Sequence, residues 1–142
     1  MKITNIEISK LEPNQGQIKG LPTNPRTWTE NDVKSLARSL AETPELFEAR
    51  PIIVVPNGDK FVILGGNMRY EASKMNGSAE VPCIIFPASI SIDKMREIVI
   101  KDNGSWGYWD YALLDNDWSD NPLQDWGVPE QDEKGGGARQ YP

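Results

Sequence analysis

Apolar positions along the 142-residue chain change period several times, and each change marks a boundary between elements. Ile3, Ile6, Ile8 and Leu11 predict a short strand over residues 1–11, which the PNQG run at 13–16 breaks. Residues 17–28 keep no period, contain Gly20, Pro22 and Pro25, and read as loop. Thr29 and Asp32 then have the spacing of an N-terminal capping box, and Val33, Leu36, Ala37 and Leu40 recur at helical intervals. A helix from about 30 to 41 is expected.

Two β-rich runs, RPIIVV at 50–55 and KFVIL at 60–64, flank PNGD at 56–59, whose Asn-Gly pair favours a tight hairpin turn. The second run passes through Gly65-Gly66 into a helix near 67–76, with Met68, Ala72 and Met75 on one side and Gly77 placed for a C-cap. A strand at 81–86 follows, and Met95, Ile98 and Val99 form the apolar stripe of a helix at 92–101, stopped by Asn103-Gly104. Beyond it, Trp106, Tyr108, Trp109, Tyr111, Leu113, Leu114, Trp118 and Trp126 stand among aspartates. Short helices at 107–116 and 122–126 are expected there, their tryptophans capping the core as a helical lid. Residues 131–142, with Gly135-Gly-Gly137, have no period and are expected to be disordered.

Composition narrows the chemistry. With no histidine there is no imidazole base, no Ser-His-Asp or Cys-His pair and no histidine-bound zinc. The single cysteine, Cys83, lies in an apolar run and reads as a small core residue; no internal disulfide or cysteine cluster can form. No stretch of about 18 apolar residues is present to span a membrane, and the start MKITNIEISK lacks a signal-peptide core, so a cytoplasmic setting is expected. The net charge of −6 is uneven: residues 1–101 carry 13 basic and 12 acidic groups and residues 102–142 carry 2 and 9, together the 15 and 21 of the whole chain. Phosphate contacts by Lys and Arg supply most non-specific affinity for nucleic acid, so any contact with DNA belongs to the front part or is indirect.

The elbow Gly65-Gly66, with Arg69 in the first helical turn, combines free backbone N–H groups, the positive end of the helix dipole and a cation. That chemistry suits a phosphate. It is neither the GxxxxGK[ST] loop nor GxGxxG, and a plain strand-to-helix turn with Asn67 as N-cap and Arg69 in solvent fits the same residues. Arg26 is a second candidate, presented from a loop that Pro25 stiffens.

The order of these segments carries a resemblance. Leu11-Glu-Pro-Asn14, Asn24-Pro-Arg26, the helix ending in Ser39-Leu40, the RPIIV run, the elbow GGNMRY with Ala72, and Val81-Pro82 together resemble the N-terminal domain of ParB-type partition proteins and the related sulfiredoxins, over residues 3–104. The resemblance implies an α+β fold, a small mixed β-sheet with packed helices, followed here by a C-terminal helical aromatic extension. The implied division is a ParB-like domain at 1–104, a Trp-rich acidic extension at 105–128 and a disordered tail at 129–142.

In the partition proteins the elbow reads GERRxRAA and helps bind the phosphates of CTP. Gly66, Arg69 and Ala72 match its glycine, second arginine and first alanine, whereas Asn67, Met68 and Glu71 depart from it. Asp102-Asn103 resembles the start of the family's ENxxR box, with Trp106 where the arginine would stand. The sulfiredoxin elbow GGCHR matches Gly65, Gly66 and Arg69, but Asn67 replaces the catalytic cysteine and removes that reaction.

The resemblance therefore implies a nucleotide of the CTP or ATP class held by Gly65, Gly66, Asn67, Arg69, Arg26 and Asn103, with Mg2+ at Asp102 and hydrolysis left open. DNA or a DNA-acting protein is the further implied partner, in a DNA-maintenance or phage setting. Full-length partition proteins continue into a helix-turn-helix and a dimerisation region, for which the acidic last 40 or so residues do not suffice. Two other classes stay in view: a metal-dependent nuclease using Asp110, Asp115, Asp117 and Asp120, and a protein-interaction or DNA-mimic module built on the acidic extension.

Overall fold

The computed structural model describes residues 1–103 and 108–131, and the chain forms two compact units, Met1–Asp102 and Asn103–Pro142. Trp106, the glycine run at 135–137 and most of the expected tail lie outside the described residues.

The first unit is built on a five-stranded sheet. Its strands are β1 (Ile3–Glu7), β2 (Leu11–Glu12), β3 (Ile52–Asn57), β4 (Lys60–Gly65) and β5 (Glu80–Ile85), in the order β1-β5-β3-β4-β2. The pairs β1·β5 and β3·β4 are antiparallel, while β3·β5 and β2·β4 are parallel, so the sheet is mixed. The expected single strand at the start is two strands parted by a 3-10 turn, Ile8–Lys10, which lets the chain leave one edge of the sheet and join the other.

The hairpin forms where the Asn-Gly pair predicts it, with Asn57 paired to Lys60 across Gly58-Asp59. Gly58 has φ +66° and Asp59 does not share the positive φ, which is the sign pattern of a turn needing glycine first. Near its other end β3 carries an irregularity: Val54 faces Ile63 but Ile53 faces Gly65. The extra residue on β4 bends the strand where it enters the elbow.

Strand alternation divides the sheet into two faces. Ile52, Val54, Ile63, Val81 and Cys83 pack with Ile6, Leu11 and Tyr70 on one side; Val55, Val62 and Leu64 pack with Leu21, Met95 and Val99 on the other. Ile52, Val54, Val55, Val62, Ile63 and Leu64 are fully buried, each contributing about 1.5–3 kcal/mol. β4 is therefore apolar on both faces, a buried central strand.

Three helices cover the sheet. α1 (Glu30–Glu42) begins with the expected capping box: Thr29 Oγ1 accepts from Asp32 N at 3.1 Å, and Thr29 N donates to Asp32 Oδ2 at 2.9 Å. Its Val33, Ala37 and Leu40 pack against Ala72 of α3 (Asn67–Met75), and Asn76 Nδ2 donates to Ala37 O at 2.9 Å. α4 (Ile92–Asn103) covers the opposite face through Met95 and Val99. A five-residue helix, α2 (Glu45–Ala49), was not expected; it is shorter than the window in which a helical period can be read.

In the second unit, α5 (Tyr111–Asp117) is capped by Asp110, whose Oδ1 accepts from Leu113 N at 3.0 Å, and Tyr111 donates from its hydroxyl to Pro129 O at 2.8 Å. Residues 122–126 make hydrogen-bonded turns instead of the expected second helix. Trp118 and Trp126 are 47% and 55% exposed.

Candidate functional site

β4 ends at Gly65 and α3 starts at Asn67, so Gly66 alone makes the turn, as the N-cap residue with φ +97° and ψ 23°. Only glycine adopts that region without strain, and a side chain is excluded twice over. A Cβ on Gly66 would lie 2.9 Å from Arg69 Nη2 and 3.1 Å from Ile52 Cγ1. Asn67 is thus the first helical residue and not the cap, and no side chain caps α3. The first turn of α3 presents N–H groups that have no partner within the helix, as any helix start does.

Gly65 is glycine for a different reason. A Cβ there would strike Asp102 Oδ2 and come within 2.7 Å of Asp102 Cγ. The carboxylate of Asp102, from the last turn of α4, therefore occupies the space a side chain at 65 would need.

The polar residues at the start of α3 point inward. Asn67 is 6% and Arg69 7% exposed, whereas Met75, expected on the buried side, is 49% exposed. Ala72 and Met68 keep the expected inward side, packing with α1, while Met75 at the end of the helix is exposed and the Arg69 side chain turns back under the elbow. Arg69 Nη2 donates to Pro51 O at 3.2 Å, and Ser73 Oγ donates to Arg69 O at 2.8 Å. Arg69 is not the solvated arginine of the plain-turn reading. Burial lowers its pKa to about 10, opposed by the nearby Asp102 carboxylate and assisted by Arg50. At neutral pH the guanidinium is charged and interacts electrostatically with Asp102.

Two further atoms stand out. Asn67 Oδ1 and Asp102 Oδ2 are buried and meet no hydrogen-bond partner among the described residues. Such groups are uncommon in a packed interior and mark places where a ligand or rearrangement could satisfy them. Gly65, Gly66, Arg69 and Asp102 are brought together, with Asn67 beside them in sequence.

Arg26 is half-buried in the loop before α1. Its N–H donates to Asn24 Oδ1 at 3.3 Å. That loop is fixed by Asn14, 2% exposed, whose Nδ2 donates to Pro22 O at 2.9 Å and whose backbone O accepts from Asn24 N at 3.1 Å. Asn103 is half-buried at the end of α4. Sequence reasoning missed Pro51, Arg50 and Ser73. Their signal is faint, because a backbone carbonyl carries no side-chain signature and Ser73 is only Arg69 plus one helical turn.

The sequence model of the ParB N-terminal domain matches residues 1–104. This chain belongs to the ParB N-terminal domain family. A probable chromosome-partitioning protein ParB of Campylobacter jejuni is 32% identical over 101 residues, 70% of this chain and 32% of that protein. Chromosome-partitioning protein Spo0J of Thermus thermophilus is 31% identical over 84 residues, 58% of this chain and 28% of that protein. The chain thus spans about a third of the length of these curated relatives. Among solved structures, a C-terminally truncated ParB of Caulobacter crescentus complexed with CTP-γ-S superposes with TM-score 0.62 at 22% identity, covering 84% of this chain and 66% of that one. Sulfiredoxin of Arabidopsis thaliana superposes with TM-score 0.50 at 21% identity, covering 70% of this chain and 99% of that one. These likenesses bear out the ParB/sulfiredoxin-like α+β fold.

Among the described residues no three His, Cys, Asp or Glu side chains are placed to hold a metal ion. Asp110, Asp115, Asp117 and Asp120 are all exposed. Cys83 is fully buried, as expected of a core residue, and burial pushes its thiol pKa up to about 12. No helix among the described residues is long and apolar enough to cross a membrane.

Proposed function

We propose that the elbow of this ParB N-terminal domain binds the phosphates of a nucleotide of the CTP or ATP class. The observation that carries the reading is the glycine turn into α3, whose first-turn N–H groups have no partner within the helix, with the buried guanidinium of Arg69 2.9 Å from where a Cβ on Gly66 would lie. The Caulobacter relative with CTP-γ-S supports the ligand class. Gly65, Gly66 and Asn67 supply backbone and amide groups, Arg69 supplies positive potential from beneath the turn, and Arg26 and Asn103 are the further candidate contacts.

Magnesium fits this donor set as an ion held mainly by phosphates. It takes one or two protein oxygens in such sites, and Asp102 is the carboxylate next to the elbow. The ion would neutralise phosphate charge there. Hydrolysis is a separate property, read by release of inorganic phosphate.

Calorimetric titration with CTP, ATP, GTP and ADP, with and without Mg2+, tests the reading. Asn67→Asp is the informative variant, because it places a negative charge at the turn that would receive the phosphate. At least tenfold weaker binding is expected, measured on a variant whose fold is verified by its thermal unfolding; no heat from any nucleotide with the wild type would reject the proposal.

A second reading is favoured by one observation on the other unit. Leu113, Trp118 and Trp126 are each about half exposed beside Asp110, Asp115, Asp117, Asp120, Asp125 and Glu130, and no basic residue occurs among the described residues of that unit. Apolar rings ringed by one sign of charge suit a basic protein surface, such as that of a DNA-acting partner. Competition with DNA for a shared basic partner would distinguish mimicry of DNA from simple protein docking. Nuclease action, the other reading of these aspartates, predicts cleavage of plasmid DNA with Mg2+ or Mn2+, and intact DNA counts against it.

A further inference from the structure

Asp102 stands in the last turn of α4, where the helix dipole is negative and an acidic side chain is disfavoured. Its carboxylate is nevertheless held at the opposite kind of place. It fills the notch above Gly65, beside the turn into α3, and shares the positive field of Arg69. Its Oδ2 is buried without a hydrogen-bond partner among the described residues. A carboxylate oxygen that gives up water without gaining a hydrogen bond is held by charge and shape.

We propose that Asp102 is the resident anion of the elbow: its carboxylate occupies the ground where a phosphate would lie, and a ligand must displace it from Gly65 to bind. This deepens the nucleotide reading and rests on it for the identity of the ligand, but not for the competition itself. The exchange is of one anion for another against Gly65, Gly66, the buried Asn67 and Arg69. It gives Gly65 a role that the plain turn does not need, since its φ is not in the left-handed region and space for Asp102 is what a side chain there would remove. It also means that filling the site moves the C-terminal turn of α4. Affinity for a bare anion is accordingly set by Asp102 as much as by the groups that would hold the anion.

The test uses the full chain in metal-free buffer, with pyrophosphate as probe, and compares wild type with Asp102→Asn. The amide keeps the shape and removes the charge. Losing a like charge within about 4 Å of the incoming anion should raise pyrophosphate affinity by about tenfold or more. A second readout does not depend on a measurable affinity in wild type. Without anions the thermal midpoint of Asp102→Asn should lie below that of wild type, because Arg69 has lost its counter-charge, and added phosphate or pyrophosphate should raise it by several degrees more than it raises wild type.

Equal or weaker binding by Asp102→Asn, together with equal anion stabilisation of the two proteins, would overturn the proposal. Pyrophosphate gained by the variant while no nucleoside triphosphate binds either protein would uphold the competition and reject the nucleotide reading. Nucleotide binding that is unaffected by Asp102→Asn in metal-free buffer would do the reverse.

Discussion

The carboxylate of Asp102 sits where a side chain on Gly65 would have to go. Gly65→Ala must therefore push out a carboxylate at the edge of a packed core, or move the end of β4. A cost of about 1–3 kcal/mol is expected. In an Asp102→Ala background the same change should cost markedly less, because the colliding atoms are gone. Urea unfolding of the four proteins of this cycle measures the coupling, and additive costs would mean that the two residues do not share space.

Arg69 and Asp102 form a charge pair of unequal burial, and the pair predicts a pattern. Arg69→Met leaves the carboxylate without its counter-charge and Pro51 O without its donor, for a loss of about 3 kcal/mol. The double variant Arg69→Met/Asp102→Leu replaces both charges by apolar groups of similar size and should recover most of that loss. The depressed pKa of Arg69 sets the sign of its pH effect. Folding penalises the charged form at neutral pH, and the penalty is relieved as pH rises past about 10. Wild type should accordingly gain stability relative to the double variant as pH rises above about 10, and the gap between them should widen.

Cys83 makes an alkaline prediction of opposite sign. Its folded pKa of about 12 lies above the ordinary 9.0, so the neutral thiol is favoured by folding. The contribution is fully present below pH 9 and is lost as pH rises from 9 towards 12. Cys83→Ala should show a flatter decline of stability across that range, though lower stability throughout from the cavity. A thiol reagent at pH 8 should label wild type only at the rate of unfolding.

At the start of α1, Thr29→Ala removes the hydroxyl that caps Asp32 N, and a loss of about 1 kcal/mol is expected by urea unfolding. Asn76→Ala, which cuts the tie from α3 to Ala37 O, should cost about 0.5–1.5 kcal/mol, since that carbonyl keeps its bond within α1. The two sites are linked only through α1, so their costs should add.

What could be read in advance follows from how local its cause is. The capping box at Thr29 and Asp32, the hairpin at Gly58, and the apolar faces of α1 and α4 rest on residues a few positions apart, and all formed where their spacing indicated. The expected side of α3 held at Met68 and Ala72 but not at Met75, and the inward polar residues were not legible. Burial of Asn67 and Arg69 in preference to Met75 depends on Pro51, 18 positions before Arg69, and on Asp102, 33 positions after it. No period within the helix encodes those partners. The elbow itself was legible as glycine, but the reason for Gly65 was not, because it is an aspartate on the opposite helix.

The strand order has a consequence for how the domain is assembled. Among the described residues β1 pairs only with β5, its residues Ile3–Glu7 lying opposite Glu80–Ile84 across more than seventy intervening positions. As the chain leaves the ribosome, β1 has no partner until β5 has emerged, and closing so long a loop is slow relative to forming the β3·β4 hairpin and the α1·α3 contact. The segment synthesised first in this domain is thus among the last to be locked into it.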